Sequence, residues 1–488
     1  MKKRVIFYFL TVLMLNFSCE KKEEPITEAP VSTSDEVNHF IWKGLNLYYL
    51  WNTEVTDLAD DKFKNVTDLY SYFKKYSSPE ETFNSLLNKP GIVDRFSWIV
   101  DDYVALENSF QGINITTGMD FGLRRYVSSN SNIYGYVRYV IPNSSAESLG
   151  IKRGMIFNTV NGIQLTDTNY NSLLFGNTAS LDIGFANFNN GNPLANNTFY
   201  SVSKTEVQEN PIAISKIINV SNKKIGYLLY NQFASAYDQE LNAVFNTFKS
   251  NNIDDLIIDL RYNGGGSTTS ASYLASMITG QFTDQVFTRE VWNDKVTDAF
   301  SADSFTNNFV NKITTSSGAS ISINSLELPS VYFIVSASSA SASELIINAL
   351  DAYIDVKVVG TQTVGKQVGS ITLYDSDNLF KSGANLNSKH SYAMQPLVFE
   401  IKNKNNKNYP EGIIPETNFT GINMAENIAN LGELGNEDEP LLARTIQYIT
   451  TGLKGSAKQK VYYQTTEIYN SKLATPANNT MYKELKEN

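Results

Sequence analysis

Four short runs, at 225–230, 256–260, 331–335 and 356–359, are almost wholly apolar and show no polar alternation. Helical patterns at 236–250, 268–278 and 343–353 separate them. A strand that is apolar on both sides is covered on both faces, as in a largely parallel sheet, and parallel neighbours need a crossover. Residues 209–453 are therefore expected to form an α/β core of βαβ units. In such a sheet the loops leaving the carboxyl ends of the strands meet along one edge, where ligands bind. Three loops of this chain belong there.

The first is Asp259-Leu260-Arg261-Tyr262-Asn263-Gly264-Gly265-Gly266, between an apolar strand and a helix. Its spacing fits neither G-x-G-x-x-G nor G-x-x-x-x-G-K-[ST], so a nucleotide site is a weak alternative. Consecutive glycines bring bare N–H groups close to a substrate carbonyl, as an oxyanion hole requires. The second is Ser341-Ala342-Ser343-Glu344, at the start of a helix. A nucleophile there is exposed on a sharp turn beside the positive helix end. Ser-x-x-Glu is also a capping box, and taken alone the motif reads more readily as a cap.

The third loop, Thr363-Val364-Gly365-Lys366-Gln367-Val368-Gly369-Ser370, shifts that balance. Lys366 lies 25 residues after Ser341, enough for one helix, one strand and a return to the same sheet edge. A lysine acts as a base only when neutral, which needs a pKa about 2–3 units below its free value. Burial beside apolar neighbours such as Val364 and Val368 has that effect. The chain holds only two histidines, His39 and His390, both distant in sequence from the Ser341 turn. No H-E-x-x-H is present and the single cysteine forms no cluster, so no metal or cofactor is expected.

Upstream, 35–108 carries helical spacing, as in Phe40, Ile41, Leu45 and Tyr48, and is expected to be an N-terminal helical domain. From 109 to 208 short β-like runs take over. The stretch from Val137 through Pro142-Asn143, Gly150-Ile151-Lys152-Arg153-Gly154 and Asn161-Gly162 resembles a PDZ domain. Such domains capture chain ends by strand addition, with backbone N–H groups receiving the carboxylate. The matching loop would be Phe121-Gly122-Leu123, with Arg124 and Arg125 beside it. The last stretch, 454–488, is polar and carries no periodicity.

Lys2-Lys3-Arg4 precedes an apolar run over 5–15, which reads as a signal peptide over 1–18. Cys19 follows Ser18 and resembles a lipobox cysteine, so Cys19 is expected to be lipidated, with 19–34 as a tether. The protein is thus expected to be secreted across an inner membrane and held by lipid in the periplasm, the outer membrane or the cell surface. Its net charge of -10 argues against nucleic acid as a partner.

Taken together, the Asp259-Leu260-Arg261 segment with its glycines, Ser341-Ala342-Ser343-Glu344, Gly365-Lys366 and Tyr409-Pro410-Glu411-Gly412-Ile413-Ile414-Pro415 resemble the C-terminal processing peptidases, or tail-specific proteases. The resemblance spans about 35–449 and implies a ClpP/crotonase-like serine peptidase core. It also implies Ser341 as nucleophile, Lys366 as general base, and Ala342 and Gly265 N–H groups as the oxyanion hole. Substrates would be proteins or peptides with apolar C-termini. Many members carry a glutamine four residues after the lysine; here that position is Ser370, a candidate lysine-orienting group of shorter reach. The alternative is a catalytically silent lipoprotein that binds peptides through the same domains.

Overall fold

The computed structural model describes residues 32–315, 317–455, 465–475 and 477–484. The expectations for the signal segment and Cys19 lie outside these residues. Helix α1 (Thr33–Tyr48) starts where Ser32 Oγ accepts the N–H of Asp35 at 3.1 Å. Its stripe of Val37, Phe40, Ile41 and Leu45 is buried, as the spacing predicts. That stripe does not close a core of its own. It joins Leu228, Phe333 and Ile346 in one cluster, so the helical region is packed onto the α/β unit rather than standing apart from it.

Residues 113–208 do have a separate core, built around Leu123, Val137, Phe157 and Phe185. Strands β1 (Met119–Arg125), β2 (Ile133–Val140), β3 (Ile156–Val160), β4 (Ser180–Asn187) and β5 (Leu194–Ser203) form an antiparallel sheet in that order. The short helix Tyr170–Phe175 lies beside β1, where Phe175 stacks on Phe121 with ring centroids 6.0 Å apart.

The chain then runs through β6 (Ile212–Val220), β7 (Lys223–Tyr230), α2 (Asp238–Ser250), β8 (Asp255–Asp259), β9 (Gly266–Ser267), α3 (Thr268–Thr279), β10 (Ser330–Val335) and α4 (Ala342–Asp351). It continues through β11 (Asp355–Gly360), β12 (Val368–Ser370), β13 (Leu397–Asn403), β14 (Gly421–Asn423) and α5 (Pro440–Thr451). The main sheet has the order β6-β7-β8-β10-β11-β14 and is parallel from β7 onward. Adjacent residues explain the unalternated apolar runs. Ile258 faces a core shared with Leu274 and Ile346, whereas Ile257 faces one shared with Leu441 and Leu442 of α5. Both faces are covered, so the central positions Leu256, Ile257 and Ile258 are all apolar.

Two further strands lie in the stretch without periodicity. β15 (Glu467–Asn470) adds to the free edge of β1, and β16 (Met481–Tyr482) lies between β9 and β12 in a second sheet.

Candidate active site

The loop after β8 is aimed by a buried ion cluster. Arg261, fully buried, bonds Asp259 at 2.7 Å and Glu439 at 2.7 and 2.9 Å, with Glu426 at 3.0 Å. Tyr227 Oη donates to Asp259 Oδ2 at 2.9 Å. Each carboxylate is held by the guanidinium, and Arg153 adds a second cation 2.7 Å from Glu426, so no buried charge of the cluster stands without a partner. The Asp-Leu-Arg motif thereby sets the direction in which the glycine turn leaves the sheet. Asn263 then anchors the turn: its Nδ2 donates to the Tyr230 carbonyl and its Oδ1 accepts the Gly265 N–H, both at 2.8 Å. Gly265 has φ +112°, and a Cβ there would lie 2.6 Å from Ser341 Cβ. Only glycine permits this approach.

Ser341 precedes α4 with φ 65° and ψ -116°, a conformation that costs a non-glycine residue about 1–3 kcal/mol. Ala340 N–H and Ser343 Oγ both donate to the Asn263 carbonyl, at 3.1 and 3.0 Å, and hold the turn in place. Ser341 and Glu344 have the arrangement of a capping box, but only the glutamate half closes as a hydrogen bond. Among the described residues, Ser341 Oγ is buried without a hydrogen-bond partner. An unsatisfied buried hydroxyl on a strained turn is a poor cap and a suitable nucleophile.

Glu344 instead joins the two key loops. Its carboxylate accepts the backbone N–H of Ser341 at 2.9 Å, of Gly365 at 2.7 Å and of Lys366 at 2.8 Å, together with the Thr363 hydroxyl. The late Pro410–Gly412 segment packs on the same turn. Ile413 N–H donates to Thr363 Oγ1 at 2.7 Å, and a Cβ at Gly365 would strike the Pro410 carbonyl at 2.2 Å. These contacts give the Tyr409-to-Pro415 motif a structural purpose.

Lys366 is buried, at 2% exposure, and desolvation lowers its pKa to about 7. Asp94 and Glu344 oppose that fall with their charges but do not cancel it. Nζ sits 5.0 Å from the centroid of the Phe96 ring and donates to the Asn479 carbonyl. The histidines are engaged elsewhere: His390 Nε2 is 3.0 Å from Asp375 Oδ2, and His39 packs edge-on against Tyr70.

The remaining expectations fare unequally. Ala342 opens α4 and is buried next to Ser341. Gly265 is at the serine, but its N–H is taken by Asn263 Oδ1 rather than aimed into the cleft. Ser370 does not orient Lys366 here. It belongs to β12, and its Oγ bonds Gln395 Oε1 and lies 3.2 Å from the Met481 carbonyl. Phe121, Gly122 and Leu123 form strand β1, not a loop, and face β15. The bridging role of Glu344 was visible only as a cap spacing, while Phe96 and Asn263 carried no sequence signal.

A profile described as peptidase family S41 matches residues 224–395, and one described as the peptidase S41 N-terminal domain matches residues 36–98. No curated protein matches the chain. The fold is similar to a solved S41 protease from Bacteroides fragilis NCTC 9343, with TM-score 0.62 and 20% identity over 89% of this chain and 100% of that one. A photosystem II D1 C-terminal processing protease matches with TM-score 0.48 and 15% identity over 85% of this chain and 97% of that one. Ser341 and Lys366 both lie inside the stretch matched by the S41 profile, and the chain carries peptidase S41 family domains, those of a serine peptidase.

Proposed function

We propose that the chain is an endopeptidase of the C-terminal processing type, cleaving proteins near apolar C-terminal tails through an acyl-enzyme on Ser341. The observation that carries this is the desolvated Lys366, lowered to about 7 and tied to the Ser341 turn through Glu344. A neutral lysine near pH 7 removes the serine proton as the hydroxyl attacks, then returns it to the leaving amine. The Ala342 N–H, at the first turn of α4, stabilises the oxyanion with the help of the helix dipole. The Gly265 N–H joins it after a peptide rotation away from Asn263, which a glycine at φ +112° permits.

Residues 113–208 act as a PDZ-type module that receives the substrate tail along β1, at Phe121, Gly122 and Leu123. Cys19, acylated, anchors the enzyme to a membrane, and no nucleic acid, metal or cofactor takes part. A silent binder would have no use for a buried lysine on the turn that Glu344 ties to a strained serine, each of which costs stability.

The test compares wild-type protein with Ser341→Ala on peptides that differ only in an apolar or an acidic C-terminus. Cleavage that favours the apolar peptide and disappears in Ser341→Ala supports the proposal. Undiminished cleavage by Ser341→Ala refutes it.

A further inference from the structure

Residues 465–475 and 477–484 pass through both sites assigned to substrate. At the first, β15 pairs antiparallel with β1, with Glu467 opposite Arg124, Tyr469 opposite Leu123 and Asn470 opposite Gly122. Phe121 N–H donates to Ser471 Oγ at 3.0 Å, and Tyr469 packs on Phe175 with ring centroids 5.4 Å apart. This is strand addition with a side chain seated in the groove. Glu467 is fixed there by an ion pair to buried Arg138.

A cavity of about 300 Å³ connects this groove to the glycine turn, lined by Phe121 and Phe175 on one side, Gly264 and Gly265 on the other, and Thr475 and Asn478 of the segment itself. At the second site the segment lies on the catalytic residues. A Cβ at Gly264 would strike Asn478 Oδ1 at 2.3 Å, and one at Gly265 would lie 3.0 Å from the Thr480 carbonyl. The Asn479 carbonyl accepts a hydrogen bond from Lys366 Nζ, so the amine is drawn to the segment while Ser341 Oγ has no partner among the described residues. β16 then fills the gap between β9 and β12, with Lys483 N–H donating to the Ser370 carbonyl at 3.0 Å. Tyr482 stacks on Phe110 with centroids 4.2 Å apart.

We propose that residues 465–475 and 477–484 form an internal pseudosubstrate: they hold the enzyme latent, and their path, antiparallel on β1 and then parallel between β9 and β12, is the path of an extended substrate peptide. This rests on the peptidase function proposed above. A substrate needs the same strand edges and the same lysine, so segment and substrate exclude one another. Being in the same chain, the segment competes at a high effective concentration that a free peptide must exceed. Its own aromatic, Tyr482, indicates that the pocket over Phe110 takes an aromatic side chain on the far side of the serine.

The test uses full-length protein. Tyr482→Ala removes the stack on Phe110, and Glu467→Gln weakens the pairing at β1; neither residue is part of the catalytic machinery. Labelling of Ser341 by a fluorophosphonate should accelerate in each variant, by roughly ten-fold when both are combined. A synthetic peptide spanning 465–484 should bind the double variant more tightly than wild type by calorimetry and slow its labelling again. Labelling no faster than wild type in variants that still unfold cooperatively would mean that the segment is a structural staple, and would overturn the proposal. So would a peptide that binds neither protein. If no protein labels but the peptide still prefers the double variant, the serine-lysine chemistry fails while the occupancy of the cleft stands.

Discussion

Glu344 Oε2 accepts the backbone N–H of Lys366 at 2.8 Å across 22 residues of sequence. The same oxygen accepts the N–H of Ser341 at 2.9 Å. One carboxylate thus fixes the positions of nucleophile and base relative to each other while touching neither functional atom. Burial pushes its pKa up, and four hydrogen bonds from the Thr363 hydroxyl and the three N–H groups pull the other way.

Glu344→Gln places an NH2 group among donors that need an acceptor. The expected result is a kcat lower by roughly 10–100-fold with KM little changed, since the substrate does not meet this side chain. Steady-state kinetics on one peptide at two pH values separates this from a general loss of fold. A positioning role predicts that Glu344→Asp recovers part of kcat.

Lys366 makes stability depend on pH with a definite sign. Its pKa is about 7 in the folded protein and near 10.5 when unfolded, so between those values the unfolded chain binds the extra proton. Stability therefore rises with pH across that window, and below pH 7 the full penalty, on the order of 3–5 kcal/mol, is present. Lys366→Met should raise Tm at pH 7, and the gain should shrink as pH approaches 10. Thermal unfolding of both proteins from pH 6 to 10 measures this directly.

Arg261 is fully buried and is shared by Asp259, Glu439 and Glu426. Arg261→Ala strands Asp259 and Glu439, while Glu426 keeps Arg153, and should cost about 3–5 kcal/mol, seen as a lower denaturant midpoint. Activity should fall as well, because the glycine turn loses its direction. Glu439→Gln removes one of three partners and should cost less.

The legible parts of this fold are those where a residue's surroundings repeat along the chain. β7, β8, β10 and β11 were read from sequence because both faces of the sheet are covered, which leaves an apolar run with no alternation. Ser341 and Lys366 were legible because parallel crossovers return successive loops to one edge. Features set by distant partners were not. The stretch after 454 carries no period because β15 and β16, four and two residues long, take their order from the strands they join. Glu344 read as a cap because spacing records its bond to Ser341 and not its bonds to Gly365 and Lys366. The resemblance put Ser370 where many members carry a lysine-orienting glutamine, yet within β12 its hydroxyl is claimed by Gln395 and Met481. The helical region showed its apolar stripe clearly, but not that the stripe would be buried on the peptidase core.

The base assignment is tested most directly by the pH dependence of Ser341 acylation in wild type and Lys366→Ala, followed as the pre-steady-state burst on a peptide with an apolar C-terminus. In wild type the acylation rate should rise with pH through an ionisation near 7 and level off above it, as the neutral amine becomes the dominant form. Lys366→Ala should lose that ionisation and acylate at least ~100-fold more slowly. A Lys366→Ala protein that acylates at the wild-type rate, with the same ionisation, would contradict the assignment.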